Sequence, residues 1–425
     1  MQTKTTCPDC GPVPINHTVE WISALFDWLL SPFSSVADAL WRKIVPLFSG
    51  VHGEKMMPPF FRALAFLGLG KILSDPDEKD LMRIKCVWKE AKKRGIQMWE
   101  FRPFNIRKDL FVAQHKDEVR VFDGLPRPRG AYSKGLLWMD DKGIMKRKFE
   151  AAGIPVARGG ACFTKSRALE IFQSISPPVV VKPHTGSRSR HTTTHIINRD
   201  GLVRAFSIAK QLSPWVVVEE ELDGMVFRGT IVGNAVVGVI RRELPRVIGD
   251  GRRTVHELVK EENKNPLRHG PTFHEIPIND EAETELARQG LTRRSIPAQG
   301  QSVTLNQKVG RGSGGTTTDV TNRAHLENIS LLLEVRKVVG DPLIGVDFVM
   351  NDIEKSWKNQ KRCGVIECNS LPFLDLHHYP FLGRPRNAAG ALWDMIFPDL
   401  SFSTTQSPKS SRNSSRRASI PRSSK

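Results

Sequence analysis

The sequence is poor in cysteine and holds no complete zinc-finger or P-loop pattern. Six cysteines in 425 residues are too few for a disulfide-built scaffold, so we expect a reducing compartment and a cytoplasmic protein. The close pair Cys7 and Cys10 has no second CxxC or HxxxH motif to complete four zinc ligands. The other candidate ligands match no common zinc spacing; they are His184, His191, His195, His377 and His378. No GxxxxGK(S/T) stretch occurs, which excludes a P-loop.

Long uninterrupted apolar runs are also missing from the sequence. The most apolar stretch, residues 21–48, is broken by Asp27, Pro32, Asp38, Arg42 and Pro46. It therefore falls short of the roughly 20 apolar residues that a membrane span needs. Its apolar residues recur at three- and four-residue spacing, which predicts two short amphipathic helices on either side of Pro32. Two interpretations stay open here: a helical arm docked on the protein, or a weak peripheral contact with a membrane or a partner helix.

Basic residues are abundant, with 63 Lys and Arg against 45 Asp and Glu, a formal net charge of +18. Such an excess favours anionic partners such as nucleotides, nucleic acid or acidic membranes. No RNP, helix-turn-helix or zinc-finger pattern accompanies the charge, so we expect no specific nucleic-acid partner. Hydrophobic residues at 39% and charged residues at 25% are ordinary values for a folded globular protein.

The pattern of apolar residues and breakers predicts a mixed α+β or α/β fold. Helices are predicted at 77–95, which ends at a glycine, and at 141–152. Two strands are predicted close to residues 96–101 and 117–125, and four more at 177–183, 215–222, 226–233 and 235–242. Several of these strands are continuous Val and Ile runs, as expected of strands that are buried on both faces.

Charged side chains stand at the ends of these apolar strands. Lys182 follows three valines and precedes a proline, and a lysine at a strand end can act as a point charge for phosphate. The run Glu219, Glu220 and Glu221 ends the next valine strand, and such a cluster is repulsive unless it meets a cation, an amine or solvent. Lys142 begins the helix predicted at 141–152.

A third polar group follows two later apolar runs. Asp347 lies in LIGVDFV, and Glu367 and Asn369 lie in GVIECN, at matching strand positions. Carboxylate and amide oxygens suit Mg²⁺, which takes one or two carboxylates and leaves its other positions to water and phosphate. Three unrelated polar residues at strand ends are the alternative that this group alone leaves open.

Taken in chain order, these groups resemble the ATP-grasp superfamily, and within it the ATP-grasp domain of cyanophycin synthetase and related ligases. The resemblance covers roughly residues 135–400. It rests on seven collinear stretches: DDKGIMKRKFEAAGIPVARG at 140–159, VVVKP at 179–183, VVVEEELDGMVFR at 216–228, RELPRVIGDGRRTVHELVKEENKNP at 242–266, GSGGTTTDVT at 312–321, GVDFV at 345–349, and IECNSLP with HHYPFLGRPRN within 366–387.

The resemblance implies an ATP-grasp fold, in which two α+β subdomains clasp ATP. It divides the chain into four predicted parts: an N-terminal amphipathic helical region at 1–58, a small α/β module at 59–130, the ATP-grasp catalytic domain at 131–400, and a basic tail at 401–425. The tail holds six basic residues, no acidic residue and few apolar ones, so we expect it to be disordered.

The resemblance also implies an ATP-dependent carboxylate–amine ligase that works through an acyl phosphate and releases ADP and phosphate. The expected partners are ATP, a carboxylate and an amine, such as an amino acid or a peptide. A homodimer is compatible with the sequence, which does not fix the oligomeric state. By the family pattern, Lys142 and Lys182 would contact the nucleotide, and Glu219 with the backbone of Glu221 and Leu222 would read the adenine.

The same resemblance assigns the remaining site residues. Asp347, Glu367 and Asn369 would hold one or two Mg²⁺ ions, with Mn²⁺ as a substitute. Arg228 and Arg242 would face the phosphate or the substrate carboxylate as catalytic residues, and Arg242 is the stronger candidate of the two.

Two departures from the family pattern keep a second interpretation open. The lid loop at 184–195 contains one glycine, Gly186, where relatives are glycine-rich. Val226 stands where an acidic residue commonly binds the ribose. The alternative function is therefore a catalytically impaired ATP-grasp-like protein that binds nucleotide or acts as a scaffold.

Overall fold

The computed structural model describes residues 7, 15–26, 29, 51–129, 136–139, 142–184 and 190–400. Helix α1 spans 17–26, in agreement with the first predicted amphipathic helix. The helix predicted after Pro32 and the tail at 401–425 lie outside these residues. Among the residues described, no helix combines the length and the apolar character that crossing a bilayer requires.

The first unit is a four-stranded antiparallel sheet with two helices, in the strand order β1-β2-β3-β4. Its elements are α2 (Val51–Phe66), β1 (Gly70–Leu73), α3 (Met82–Lys93), β2 (Gln97–Pro103), β3 (Leu110–His115) and β4 (Glu118–Asp123). Helix α3 buries Ile84, Val87, Trp88 and Ala91, which recur at three- and four-residue spacing and so share one face. The helix stops before Gly95, whose φ of 68° suits glycine. The predicted helix and two strands are confirmed.

The second unit is a smaller antiparallel sheet in the order β5-β8-β6-β7, covered by two helices. Its elements are β5 (Gly159–Cys162), α5 (Lys165–Ser174), β6 (Val179–Pro183), β7 (Thr193–Ile196), α6 (Arg199–Lys210) and β8 (Val216–Glu220). The side chains of Thr164 and Asn198 cap the two helices by accepting backbone N–H bonds. Valines of β6 and β8 pack with both helices into one core, as the apolar runs predict.

The third unit is a five-stranded antiparallel sheet in the order β13-β10-β9-β14-β15. Its elements are α4 (Lys142–Ala151), β9 (Met225–Val232), β10 (Ala235–Glu243), β13 (Thr316–Asp319), α9 (Leu326–Val339), β14 (Leu343–Met350) and β15 (Gly364–Asn369). Every residue of β14 is buried. A Cβ atom at Gly229 would lie 2.4 Å from the Leu332 side chain, so this glycine lets α9 approach β9 closely.

Two further groups of elements complete the fold. An excursion after β10 contains β11 (Arg246–Ile248), α7 (Val255–Glu262), α8 (Asp280–Arg288) and β12 (Ser302–Thr304), and the chain continues after β15 into α10 (Asp375–His378) and α11 (Ala388–Ile396). Helix α11 joins the first unit to the rest, because Trp393 is fully buried and its Nε1 donates to the Val87 carbonyl at 2.9 Å. The first unit therefore shares a core with the five-stranded sheet.

Candidate active-site cleft

A cleft of about 660 Å³ lies between the four-stranded sheet of the second unit and the five-stranded sheet of the third. Strands β6 and β8 form one wall, which we call the small-sheet wall. Strands β9, β10, β14 and β15 form the other, the large-sheet wall. The volume falls within the range of roughly 300–1,000 Å³ that is usual for small-molecule sites. A nucleotide-sized ligand is of the size that such a cleft accommodates.

The small-sheet wall carries lysines gathered around one buried glutamate. Lys182, at the end of β6, donates through Nζ to Glu219 Oε1 on the neighbouring strand β8. Lys146 Nζ lies 3.6 Å from Glu219 Oε2. Lys142, one helical turn before Lys146, donates to the backbone carbonyl of His184 at 3.4 Å. Three ammonium groups around the Glu219 carboxylate give this lysine cluster a surplus of positive charge.

Charge and burial oppose one another at Glu219. Burial raises the pKa of this carboxyl, but the charges of Lys182, Lys146 and Lys142 outweigh burial and hold the pKa below its ordinary value. Burial lowers the pKa of Lys146, which Glu219 partly offsets. Glu219 therefore stays ionised and fixes the positions of the surrounding lysines.

Arg362 helps to hold the segment after β8, residues 221–224, which we call the hinge. Glu221 donates its N–H to the Pro178 carbonyl at 2.9 Å. Arg362 donates to the Glu221 carbonyl at 2.8 Å and to the Pro178 carbonyl at 2.9 Å. Leu222 follows directly and lines the cleft. The backbone N–H and carbonyl of Glu221 are thus already hydrogen-bonded within the protein. Of the residues predicted to contact the adenine, Leu222 follows this fixed position and lines the cleft.

The large-sheet wall places three charged residues in one row across its strands. Asp347 on β14 lies opposite Arg228 on β9 and opposite Glu367 on β15. Arg228 Nε and Nη2 donate to the two Asp347 carboxylate oxygens, each at 2.6 Å. Arg242 on β10 donates to Asp347 Oδ2 at 3.3 Å from the cleft side. The paired hydrogen bonds from Arg228 fix the orientation of the Asp347 carboxylate.

The pKa values of the two carboxyl groups on this wall are shifted in opposite directions. Burial raises the pKa of Asp347, but Arg228 and Arg242 outweigh it and hold the pKa below its ordinary value. Desolvation by the surrounding walls and the charge of Asp347 together raise the pKa of Glu367, whose carboxyl group faces the cleft. Glu367 therefore has too little positive charge nearby, and a divalent cation bound at this wall would supply it.

Asn369 completes this group from the end of β15. In the orientation that satisfies both of its amide atoms, it donates to Glu367 Oε1 and accepts from Arg228 Nη2, each at 3.3 Å. The donor set of Asp347, Glu367 and Asn369 is all oxygen, with two carboxylates on adjacent strands. It fits Mg²⁺ by ligand type and number.

Eight of the ten residues that the sequence predicts for the site line the cleft. They are Lys142, Lys182, Glu219, Glu221, Leu222, Arg242, Asp347 and Glu367. Arg228, which is 4% exposed, and Asn369 lie outside the lining and act on it through their neighbours. The sequence analysis missed Lys146 and Arg362. Lys146 could have been found, because it follows Lys142 by four residues and shares its helix face.

The fold and the sequence were compared with those of known proteins. No protein-family model matches the chain. A crystal structure of a bifunctional glutathione synthetase from Pasteurella multocida superposes with a TM-score of 0.57 at 24% identity, over 76% of this chain and 44% of that one. Cyanophycin synthetase of Trichormus variabilis is 31% identical over 343 residues, which are 76% of this chain and 37% of that protein.

The chain belongs to the ATP-grasp superfamily. The ATP-grasp chain also matches the glutathione biosynthesis bifunctional protein of Clostridium perfringens at 33% identity over 318 residues, 72% of this chain and 40% of that protein. The chain thus spans less than half the length of cyanophycin synthetase and less than half the length of the glutathione biosynthesis protein. The predicted ATP-grasp fold and the resemblance to cyanophycin synthetase are confirmed.

Proposed function

We propose that this ATP-grasp chain is an ATP-dependent ligase that joins a carboxylate to an amine. The observation that carries the proposal is the cleft itself, in which a lysine cluster on the small-sheet wall faces a carboxylate pair and Arg242 on the large-sheet wall. The names of the related proteins, a synthetase and a biosynthesis protein, support the same class of chemistry.

The proposed reaction has two steps. A carboxylate oxygen of the substrate attacks the γ-phosphorus of ATP, so that an acyl phosphate forms and ADP leaves. The amine then attacks the acyl carbon, phosphate leaves, and the amine loses a proton to give the amide. Phosphoryl transfer depends mainly on positioning and charge neutralisation, which is what the charged walls of this cleft offer.

The small-sheet wall would bind the nucleotide. Lys182 and Lys142 would contact the phosphates, while Glu219 holds Lys182 in place through their ion pair. The hinge after β8 would read the adenine edge at Leu222, with Glu221 fixed behind it by Arg362. We therefore assign Glu219 and Glu221 to positioning the nucleotide site more than to touching the base.

The large-sheet wall would hold one or two Mg²⁺ ions, or Mn²⁺ in their place, through Asp347, Glu367 and Asn369. A bound divalent ion there supplies positive charge to the phosphate oxygens. Arg228 would act as a positioning residue, because it is buried behind Asp347 and orients that carboxylate with two hydrogen bonds.

Arg242 is the proposed catalytic residue of this wall. Its guanidinium lines the cleft on the side of Asp347 and is held by the Val309 carbonyl at 3.4 Å and by Asp347 at 3.3 Å. A fixed positive charge beside the reacting phosphoryl group stabilises the negative charge that builds up in the transition state. It would therefore favour the transition state over bound substrate.

The product analysis of a single reaction tests the proposal. Purified chain is incubated with Mg·ATP and pooled amino acids, dipeptides and polyamines, and the nucleotide and phosphate products are quantified. We expect substrate-dependent release of ADP and phosphate, and separate assays of the pool members then name the carboxylate and the amine. Formation of AMP and pyrophosphate would instead indicate an adenylating ligase and would overturn the acyl-phosphate mechanism.

A further inference from the structure

Three potential metal ligands meet beside the cleft although the sequence separates them widely. Cys7 Sγ lies 3.6 Å from His191 Nε2, across 184 residues of chain. The His17 ring packs edge-on against the His191 ring, with 4.8 Å between the ring centroids. One ligand atom from each of the three residues lies within 4.8 Å of the other two.

The spacing of the Cys7 and His191 donor atoms matches tetrahedral zinc. Zinc bonds of about 2.3 Å to sulfur and about 2.0–2.1 Å to nitrogen, at a tetrahedral angle, separate the two donors by about 3.5–3.6 Å. The Cys7 sulfur and the His191 nitrogen are 3.6 Å apart. A thiol and an imidazole nitrogen at this separation are placed as two ligands of one ion would be.

His191 is oriented as a metal ligand usually is. Its Nδ1 lies 2.8 Å from the Ile208 carbonyl, to which it donates, and so Nε2 presents its lone pair toward Cys7. Metal-binding histidines commonly donate the second ring N–H to a carbonyl in this way, which fixes the tautomer. The side chain is 1% exposed, so its orientation is fixed by the surrounding protein.

We propose that Cys7, His17 and His191 bind a Zn²⁺ ion. One thiolate and two imidazoles are soft and borderline ligands that suit zinc, in contrast to the all-oxygen donors of Asp347 and Glu367 in the cleft. On binding, the Cys7 thiol loses its proton to solvent and the sulfur–zinc bond forms, with no change of oxidation state.

The position of this zinc site gives it a structural role next to the nucleotide. His191 directly precedes Thr192, and both Thr192 and Thr194 at the start of β7 line the cleft. The ion would fasten the N-terminal segment that bears Cys7 and His17 to the end of the lid loop. Zinc binding at this site does not depend on the proposed reaction, since zinc content is measured without ATP.

Zinc content of the full chain, prepared without an affinity tag, tests the site. After incubation with equimolar Zn²⁺ and passage over a chelating resin, we expect about one zinc per chain by mass spectrometry. Cys7→Ser and His191→Ala should each retain less than about a tenth of that amount. The control His115→Ala, at a half-buried histidine that ends β3, should retain all of it.

A spectrum of the unmodified chain covers the case in which a variant fails to fold. Co²⁺ substituted at a tetrahedral site with a thiolate ligand gives intense visible bands and a sulfur-to-cobalt charge-transfer band. We expect both in the wild-type chain, and displacement of both by Zn²⁺. A wild-type chain that holds no zinc after the resin, a cobalt spectrum without the thiolate band, or folded variants that keep their zinc would each overturn the assignment.

Discussion

The two walls of the cleft manage buried charge in different ways. On the small-sheet wall, Lys142, Lys146 and Lys182 surround the carboxylate of Glu219, so this lysine cluster carries a surplus of positive charge. That surplus is present before any ligand arrives. A phosphate chain therefore finds a preformed cationic surface at the ends of β6 and α4.

On the large-sheet wall the incompletely compensated charge is that of a carboxylate. Arg228 and Arg242 share Asp347, and Glu367 adds the second carboxylate, whose pKa is raised by burial and by Asp347. A cation bound there would relieve the repulsion between the two carboxylates. We therefore expect nucleotide affinity to depend on the small-sheet wall and metal dependence on the large-sheet wall, so that mutations should separate the two properties.

The largest effect is expected on the large-sheet wall. Glu367→Ala should abolish ADP release while far-ultraviolet circular dichroism stays unchanged, because Mg²⁺ is held by only one or two protein carboxylates and Glu367 is one of the two available here. The assay follows ADP release across a range of Mg²⁺ concentrations. Glu334→Ala, at an exposed glutamate paired with Lys337 on α9, is the control. An active Glu367→Ala enzyme with the wild-type response to Mg²⁺ would remove Glu367 from the metal site.

Arg242→Ala should lower kcat by roughly 10²–10³-fold, the loss expected when one donor to a developing charge is removed. The KM for ATP should change far less, because the lysines of the other wall remain. Steady-state kinetics at saturating nucleotide measure both quantities. Arg241→Ala is the matched control. Arg241 directly precedes Arg242 on β10, and its guanidinium pairs with Glu243 instead of Asp347. A variant that loses ATP affinity yet turns over normally would assign Arg242 to the nucleotide.

Lys182→Met should act in the opposite way. It removes a charged hydrogen-bond donor of the small-sheet wall, worth about 1.5–3 kcal/mol, so the KM for ATP should rise roughly 10–100-fold. The effect on kcat should be smaller than that of Arg242→Ala. Lys89→Met, at an exposed lysine of α3, serves as the control in the same kinetic assay. An unchanged KM would show that the lysine cluster does not bind phosphate.

The smallest effect is expected from the basic tail at 401–425. Deletion of 401–425, which lie outside the described residues, removes six basic residues and few apolar ones. We expect the melting temperature to change by less than about 2 °C, and the KM for ATP to stay the same at physiological salt. Calorimetry and the kinetic assay check both. A clear fall in stability would mean that the tail contributes to folding.

The sequence predicted the parts of the site that follow directly from local pattern. Valine runs bounded by Lys182 and Glu219 read as buried strands with polar ends, and both residues lie on the cleft. Asp347 and Glu367 follow apolar runs at matching positions, and strand register brings them opposite one another. Local period and strand ends carry this information because they depend only on neighbouring residues.

The local sequence pattern could not predict contacts between residues that lie far apart in the sequence. The pairing of Arg228 with Asp347 depends on the register of β9 against β14, which no short stretch encodes. Arg362 reaches the hinge from 141 residues away. Cys7 and His191 fit no zinc spacing, since tertiary folding alone brings them together. In each case the missing information is the three-dimensional arrangement of elements.

Calorimetric titration of ATP, with and without Mg²⁺, into the wild-type chain, Lys182→Met and Glu367→Ala tests the division between the walls most directly. We expect Mg²⁺ to tighten ATP binding to the wild-type chain. Lys182→Met should weaken binding under both conditions, and Glu367→Ala should lose only the gain that Mg²⁺ provides. A Glu367→Ala chain that keeps this gain, or a Lys182→Met chain that loses only this gain, would contradict the account.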